Sequence, residues 1–133
     1  MAYYMATTLR TPFDDAIECT EAALKTEGFG VISRIDIRQT LKSKIDVDFR
    51  PYMILGACNP TLAYEALRLE DKVGTMLPCN VVVQQLDNGD VEVAAIDPVA
   101  SMQSIKNPEL TRAAEVVSEK LARVIAVLAK PAI

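Results

Sequence analysis

The sequence predicts an α+β fold in which helices pack on one face of a mostly antiparallel sheet. Apolar stretches alternate as strands do, and several helix starts are marked by a capping residue followed by proline. The dipeptide Asn88-Gly89 lies between two alternating stretches, which is typical of a hairpin and requires an antiparallel strand pair. The predicted order is β-α-β-β-α-β-β-α, within a single domain over residues 1–133.

The chain is predicted to begin with a strand and a long helix. Residues 3–9 are rich in β-forming side chains. Thr11 and Pro12 then suit the N-cap and the first position of a helix, and Gly28 suits the position after its end. A helix is therefore expected over residues 12–27.

Two further strands are predicted before the middle of the chain. Residues 29–37 alternate in a way that predicts a strand with one dominant apolar face. The polar segment after it is expected to hold a short helical turn near residues 40–44 and then a loop. The apolar run over residues 52–57 predicts a buried strand.

Asparagine followed by proline marks the starts of the two remaining long helices. Asn59-Pro60 precedes apolar residues at helical spacing, and Gly74 is expected just past the end of that helix. Asn107-Pro108 opens a long amphipathic helix that Pro131 is expected to stop.

The hairpin between these helices predicts a strand register. Its strands are expected over residues 81–86 and 91–96, on either side of Asn88-Gly89. A two-residue loop at that dipeptide would place Asn80 opposite Asp97. The register therefore brings a carboxylate to the end of the sheet where the preceding helix returns.

The hydrophobic content and the net charge of the chain indicate which kinds of macromolecular partner to expect. Half of the residues are hydrophobic, at 50%, and mean hydropathy is +0.17, so apolar surface is left over after a core is filled. This surplus favours a homodimer. Net charge is −4 and the sequence pI is about 4.8, and no basic run is present, so a nucleic-acid partner is not expected.

Other sequence features predict a soluble cytoplasmic protein and exclude several kinds of site. The cysteine count is odd, at three, and no signal peptide is recognisable, which indicates a reducing compartment. The apolar tail over residues 121–129 is interrupted by Arg123 and is too short to span a membrane. The absence of histidine excludes Ser-His-Asp, Cys-His and zinc-histidine arrangements within the chain. Dinucleotide and P-loop glycine motifs are also absent.

Four motifs resemble a prokaryotic family of uncharacterised domains, the domain-of-unknown-function family DUF302. They read FRPY, ILGACNP, LPCNVVV and AIDP, and the resemblance extends over about residues 12–128. It implies a β-α-β4-α fold like that of TATA-binding protein, without its DNA-binding role, and it implies dimers. It supplies no activity and no cofactor. The matching residues are Arg50, Pro51, Tyr52, Cys58, Asn59, Pro60, Pro78, Cys79, Asn80, Asp97 and Pro98.

A candidate site follows from the repeated Cys-Asn pair. If the strands that end at Cys58 and begin near Cys79 are antiparallel, both thiols lie at one sheet end; if they are parallel, the thiols lie at opposite ends. The resemblance implies the antiparallel case. The predicted ligand-binding residues are then Cys58, Asn59, Cys79, Asn80 and Asp97. Cys58 and Cys79 are also candidate ligands of a soft metal, which a dimer would have to complete.

Three functions stay open on these residues. The first is a homodimeric binding module for a small ligand or soft metal at the Cys-Asn pair. The second is a structural or interaction domain, in which Asn59 only caps a helix and the cysteines pack as small apolar side chains. The third is a thiol-based enzyme or redox protein, in which the helix that follows Cys58 would lower the pKa of that thiol. The lack of a histidine base makes enzymatic activity the less expected alternative.

Overall fold

The computed structural model describes residues 2–130 and contains a five-stranded antiparallel sheet in the order β1-β5-β4-β3-β2. All four neighbouring pairs are antiparallel, which confirms the predicted fold class. The strands are β1 (Tyr4–Leu9), β2 (Gly30–Asp36), β3 (Tyr52–Cys58), β4 (Cys79–Gln85) and β5 (Val91–Ile96).

Five helices connect or cover these strands. They are α1 (Phe13–Thr26), α2 (Ile37–Ile45), α3 (Pro60–Leu69), α4 (Pro98–Ser101) and α5 (Pro108–Ala129). A 3-10 segment, Asp71–Met76, follows α3. Within residues 2–130, no helix is long and apolar enough to cross a membrane.

One face of the sheet forms the main core. Alternate residues of the central strands point towards α1 and α5, and Leu55, Val81 and Val93 on this face are 0% exposed. Strand side chains alternate between faces, so the residues between them lie on the opposite face, which α1 and α5 do not cover. The main core therefore occupies only one side of the sheet.

A second, smaller apolar cluster lies between α3, the 3-10 segment, α4 and the first turns of α5. Its buried members are Ala66, Val73, Met102, Leu110 and Ala114. It shares no buried residue with the main core. The α5 helix contributes to both clusters, since Leu121 and Val124 belong to the main core.

Two asparagine side chains join successive helices. The Asn59 carboxamide oxygen accepts a hydrogen bond from the Leu62 backbone amide, while its Nδ2 donates to the Glu27 carbonyl just after α1. Asn107 repeats this arrangement: its oxygen accepts from the Leu110 amide, and its Nδ2 donates to the Leu69 carbonyl at the end of α3. The carboxamide carries its donor and its acceptor on separate atoms, so one asparagine side chain can make both hydrogen bonds at each of these positions. The asparagine-proline helix starts are confirmed.

The hairpin register differs from the predicted one by a single residue. Val81 pairs with Ala95, and Gln85 with Val91. The loop has three residues because the Leu86 amide donates to the Asp90 carbonyl and only Gly89 in the loop adopts a positive φ, of 89°. A type I turn followed by a left-handed glycine gives this loop, whereas the predicted two-residue turn needs positive φ at both central residues. The prediction that Asn80 faces Asp97 was wrong.

The prediction of one dominant apolar face on β2 was also wrong. The pairing of β2 with β3 shifts between Val31 and Ser33, so the strand contains a bulge. Val31 lies beside Ala57 on the core face, but Ile35 lies beside Ile54 on the opposite face. One extra residue reverses the alternation of the side chains that follow it.

Several helix boundaries differ from the expected ones. Pro12 is the N-cap of α1, not its first helical residue, and no side-chain hydrogen bond caps this helix. The helical turn expected near residues 40–44 is a full helix, α2. Gly74 lies within the 3-10 segment and not directly after α3, which ends at Leu69. The predicted stop of α5, Pro131, lies outside the described residues.

Candidate functional site

An apolar cavity of about 340 Å³ separates the two hydrophobic clusters. Main-core residues such as Phe29 and Ala57 form one wall. Members of the smaller cluster, such as Met102 and Leu110, form the opposite wall. Ile32 and Leu67 also line the cavity and are 65% and 42% exposed, so they mark its side towards solvent.

Small side chains account for this space. Four alanines line the cavity on the two facing helices: Ala63 and Ala66 on α3, and Ala113 and Ala114 on α5. A methyl group reaches much less far than a leucine or phenylalanine side chain, so these helix faces leave a gap where larger residues would meet. None of the lining residues is aspartate, glutamate, lysine or arginine.

Both motif cysteines line the cavity. Cys58 is half-buried at the end of β3, and Cys79 is buried at the start of β4 beside Ala57. The strands β3 and β4 are antiparallel, so the end of one meets the start of the other, as the sequence analysis expected for a shared sheet end. Cys19 is exposed on α1 and does not line the cavity.

Burial sets the chemistry of Cys79. Transfer of the side chain out of water, and to a smaller extent the charge of the nearby Cys58 thiolate, raise the pKa of Cys79 from 9.0 to about 11. The thiol is therefore protonated near neutral pH. A neutral, buried thiol is a poor nucleophile and packs as a small apolar group.

This raised pKa predicts a loss of stability in alkali. Below pH 9 both the folded and the unfolded state hold the Cys79 proton. As pH rises from 9 towards 11, the unfolded state loses that proton first and is favoured. The free energy of unfolding should fall on this account by about 2–3 kcal/mol.

Urea denaturation between pH 8 and pH 11 measures this effect against Cys79→Ala. The variant keeps the background from tyrosine and lysine titration but lacks the buried thiol. Its free energy of unfolding should therefore decline less steeply with pH. Parallel curves for the two proteins would show that the Cys79 thiol is not desolvated as described.

Asn59 lines the cavity, but both of its polar groups are engaged. They hold the start of α3 and the residue after α1, as described above. Gly28 makes this approach possible, since a Cβ at that position would lie 2.9 Å from Asn59 Nδ2. Asn59 thus shapes the wall of the cavity and has little capacity left for a ligand.

The other two predicted ligand-binding residues, Asn80 and Asp97, do not line the cavity. Asn80 is exposed and lies in a shallow groove on the uncovered sheet face with Tyr4 and Tyr52. The Asp97 carboxylate caps α4 by accepting from the Val99 amide, and it also accepts from the Ser118 hydroxyl on α5. Its neighbour Pro98 lines the cavity, but Asp97 does not. The structure therefore brings together Cys58, Asn59 and Cys79, and separates them from Asn80 and Asp97.

Metal ligands are sparse around the two thiols. Among residues 2–130, no three Cys, Asp or Glu side chains group closely enough to hold a metal ion. The cavity wall itself offers only the two sulfur atoms as soft donors. Within one chain, these residues do not complete a tetrahedral soft-metal site.

Sequence reasoning did not find the apolar walls on α3 and α5. It identified apolar residues at helical spacing in both predicted helices but did not predict a cavity between them. The usable signal is that alanines make up half of the residues that line the cavity on each helix, at Ala63 and Ala66 and again at Ala113 and Ala114. Two such faces leave a space only if the two helices face one another, and the sequence does not show whether α3 and α5 do so.

Comparison with known proteins identifies the family. The model of the domain of unknown function DUF302 matches residues 5–128. Among solved structures, the chain is similar to an uncharacterised conserved DUF302 protein from Bacillus stearothermophilus, with 30% sequence identity and a TM-score of 0.88. The match covers 95% of this chain and 98% of that one. No curated protein matches the chain significantly. On the family match over most of its length and the shared fold, the chain belongs to the DUF302 family.

Proposed function

We propose that this DUF302 protein is a binding module for a small, uncharged and mainly apolar molecule. The observation that carries the proposal is the 340 Å³ cavity between the two hydrophobic clusters. Packed protein interiors leave few voids larger than a water molecule, so a space of this size lined by apolar side chains is unusual. Apolar pockets with a few polar groups are typical small-molecule sites.

The volume of the cavity limits the size of the ligand. A cavity of ~150 Å³ lined by apolar side chains holds one benzene molecule. At about 340 Å³, this cavity has room for a molecule roughly twice as large, such as a fused bicyclic hydrocarbon. A ligand on the scale of a dinucleotide would not fit.

The lining residues limit the chemistry of the ligand. A buried carboxylate or ammonium group needs an opposite charge or several hydrogen bonds, and the wall offers neither. The sulfur atoms of Cys58, Cys79 and Met102 are polarizable and favour contact with aromatic rings. An uncharged aromatic molecule satisfies both conditions.

A thiol enzyme and a soft-metal module have less support. A thiol enzyme needs a reactive thiolate, and burial raises the pKa of Cys79 away from that state. A bound soft metal would need donors that neither the cavity wall nor the nearby acidic residues supply. We retain the prokaryotic cytoplasm as the proposed compartment because none of the three cysteines forms a disulfide.

Calorimetric titration with a matched pair of probes tests the proposal. Naphthalene is uncharged and of suitable size, while 2-naphthoate carries the same rings with a carboxylate. Naphthalene should bind saturably with one molecule per chain. 2-Naphthoate should bind at least about tenfold more weakly because its charge would be buried without a partner. Absence of saturable naphthalene binding, or equal affinity for the two probes, would contradict the proposal.

A further inference from the structure

A groove of about 350 Å³ lies on the sheet face opposite α1 and α5. We propose that this groove binds an arylalkylammonium ion, which is an aromatic ring on a short chain that ends in a protonated amine. None of the residues that line the groove lines the cavity described above. The groove is therefore a second site, and the proposal does not depend on the ligand of the cavity.

The strand register sets the shape of the groove. Three neighbouring rows of paired residues form it: Tyr4 with Ile96, Ala94 with Val82, and Glu92 with Gln84. The middle row carries the shortest side chains and forms the floor, while the outer rows form the walls. Four residues along a strand, at ~3.3 Å per residue, separate the two walls by roughly 13 Å at the backbone. Because the wall side chains occupy part of that distance, a single ring on a two-carbon ammonium chain can reach from one wall to the other.

Aromatic side chains stand on both walls. Three of the four tyrosines of the chain line the groove: Tyr3, Tyr4 and Tyr52. The rings of Tyr3 and Tyr4 meet edge to face with their centroids 5.0 Å apart, and they are 66% and 46% exposed. This exposed pair offers a surface on which a further aromatic ring can pack. Tyr52 lies on the opposite wall beside Gln84, where its ring face can attract a cation.

Glu92 supplies the negative charge that an ammonium ion would meet. This residue is half-buried, and its carboxylate accepts a hydrogen bond of 3.0 Å from Gln84 Nε2. A carboxylate has about four acceptor positions, so this bond leaves capacity for a ligand. Among the ion pairs within residues 2–130, none involves Glu92. Partial burial reduces screening by water, so an ammonium group gains more here than at a fully exposed carboxylate.

The charges around the groove favour a cation over an anion. In the described part of the chain, no lysine or arginine lines the groove. The guanidinium of Arg50, just before β3, lies over the Phe49 ring, 4.4 Å from its centroid, and does not line the groove. The net charge of −4 adds a general attraction for cations and a repulsion of anions. The groove therefore differs from the cavity, whose wall carries no charge, in the ligand that it selects.

Calorimetric titration with tryptamine tests the proposal, because this probe carries an indole ring on a two-carbon ammonium chain. The wild type should bind tryptamine saturably, with one molecule per chain. Glu92→Gln keeps the shape of the side chain but removes its charge, and it should weaken binding at least about tenfold. The matched control Glu119→Gln removes one charge from an exposed position on α5, where water screens it, and should change the affinity less than about twofold.

A second pair of variants tests the aromatic wall. Tyr4→Leu keeps an apolar side chain but removes the ring, and it should weaken tryptamine binding about threefold. Tyr64 is exposed on α3 outside the groove, so Tyr64→Leu should bind tryptamine as the wild type does. Indole-3-propanoate has a similar shape and the opposite charge, and it should bind at least about tenfold more weakly than tryptamine.

Three results would overturn the inference. Absence of saturable tryptamine binding would mean that the groove is closed by another copy of the chain or takes a different partner. Equal affinities of Glu92→Gln and Glu119→Gln would place the bound tryptamine elsewhere on the molecule. Equal affinities for tryptamine and indole-3-propanoate would show that charge does not select the ligand. Circular dichroism confirms that each variant is folded, and a failure of naphthalene to bind the cavity would leave these expected results unchanged.

Discussion

Replacing Gly56 with alanine is expected to destabilise the fold by about 2 kcal/mol, by overpacking near the end of β3. A Cβ at this position would lie 2.1 Å from Ser33 Oγ and 2.8 Å from Pro78 Cγ. The serine hydroxyl can rotate away, but the proline ring is fixed by its own backbone. The strand β3 would therefore have to move relative to β4 at the sheet end that lines the cavity.

Gly30→Ala is the matched control for this substitution. Gly30 lies in β2 of the same sheet, and a Cβ there would meet no atom within 4 Å. Its φ does not lie in the left-handed region, so alanine should be neutral or stabilise by up to about 1 kcal/mol. Thermal unfolding should separate the two variants by several degrees. Equal melting temperatures would contradict the close packing described at Gly56.

Filling the cavity is expected to weaken ligand binding strongly without unfolding the protein. Ala113 lines the cavity on α5, and the ring of Ala113→Phe would occupy space that is otherwise open. Naphthalene affinity should fall at least about tenfold, because the new ring takes up space that the ligand needs and so removes part of the favourable free energy of binding. The melting temperature should stay the same or rise because the new ring fills a void and does not displace packed atoms.

Ala126→Phe provides the comparison on the same helix. Ala126 is exposed and does not line the cavity, so this variant adds the same ring to solvent. It should bind naphthalene as the wild type does. If Ala113→Phe also binds normally, the ligand does not occupy the cavity.

Local capping and turn signals were sufficient to predict most of the elements. Asn59 and Asn107 begin helices because each side-chain oxygen accepts a hydrogen bond from a backbone amide in the first turn. The proline that follows each asparagine has a backbone φ that suits the first helical position. The hairpin at Gly89 was predicted for a similar reason. Its loop length was not, because the sequence around Asn88 and Gly89 fits both a two-residue and a three-residue turn. Because the three-residue turn forms, the pairing of the two strands is shifted by one residue, and Asn80 does not face Asp97.

The parts that sequence analysis did not find depend on contacts between distant segments. The bulge after Val31 is invisible in a strand whose two faces both carry isoleucine, as Ile32 and Ile35 do. The cavity depends on the separation of α3 from α5. The hydrogen bonds that Asn59 and Asn107 donate to the preceding helices, together with the 3-10 segment, set that separation. The proximity of Cys58 and Cys79 was predicted because the family resemblance implied that their strands are antiparallel, and the structure shows that they are.

Methyl NMR of protein labelled with ¹³C at the methionine methyl groups tests the binding proposal most directly. Met102 lines the cavity, whereas Met5 and Met53 pack against the main core, do not line the cavity and serve as controls within the same sample. On titration with naphthalene, the Met102 methyl resonance should shift saturably, because aromatic ring currents act over a few ångströms, while the two controls change little. Larger shifts at Met5 or Met53 than at Met102, or no saturable shift at any methyl group, would contradict the assignment of the cavity as a ligand site.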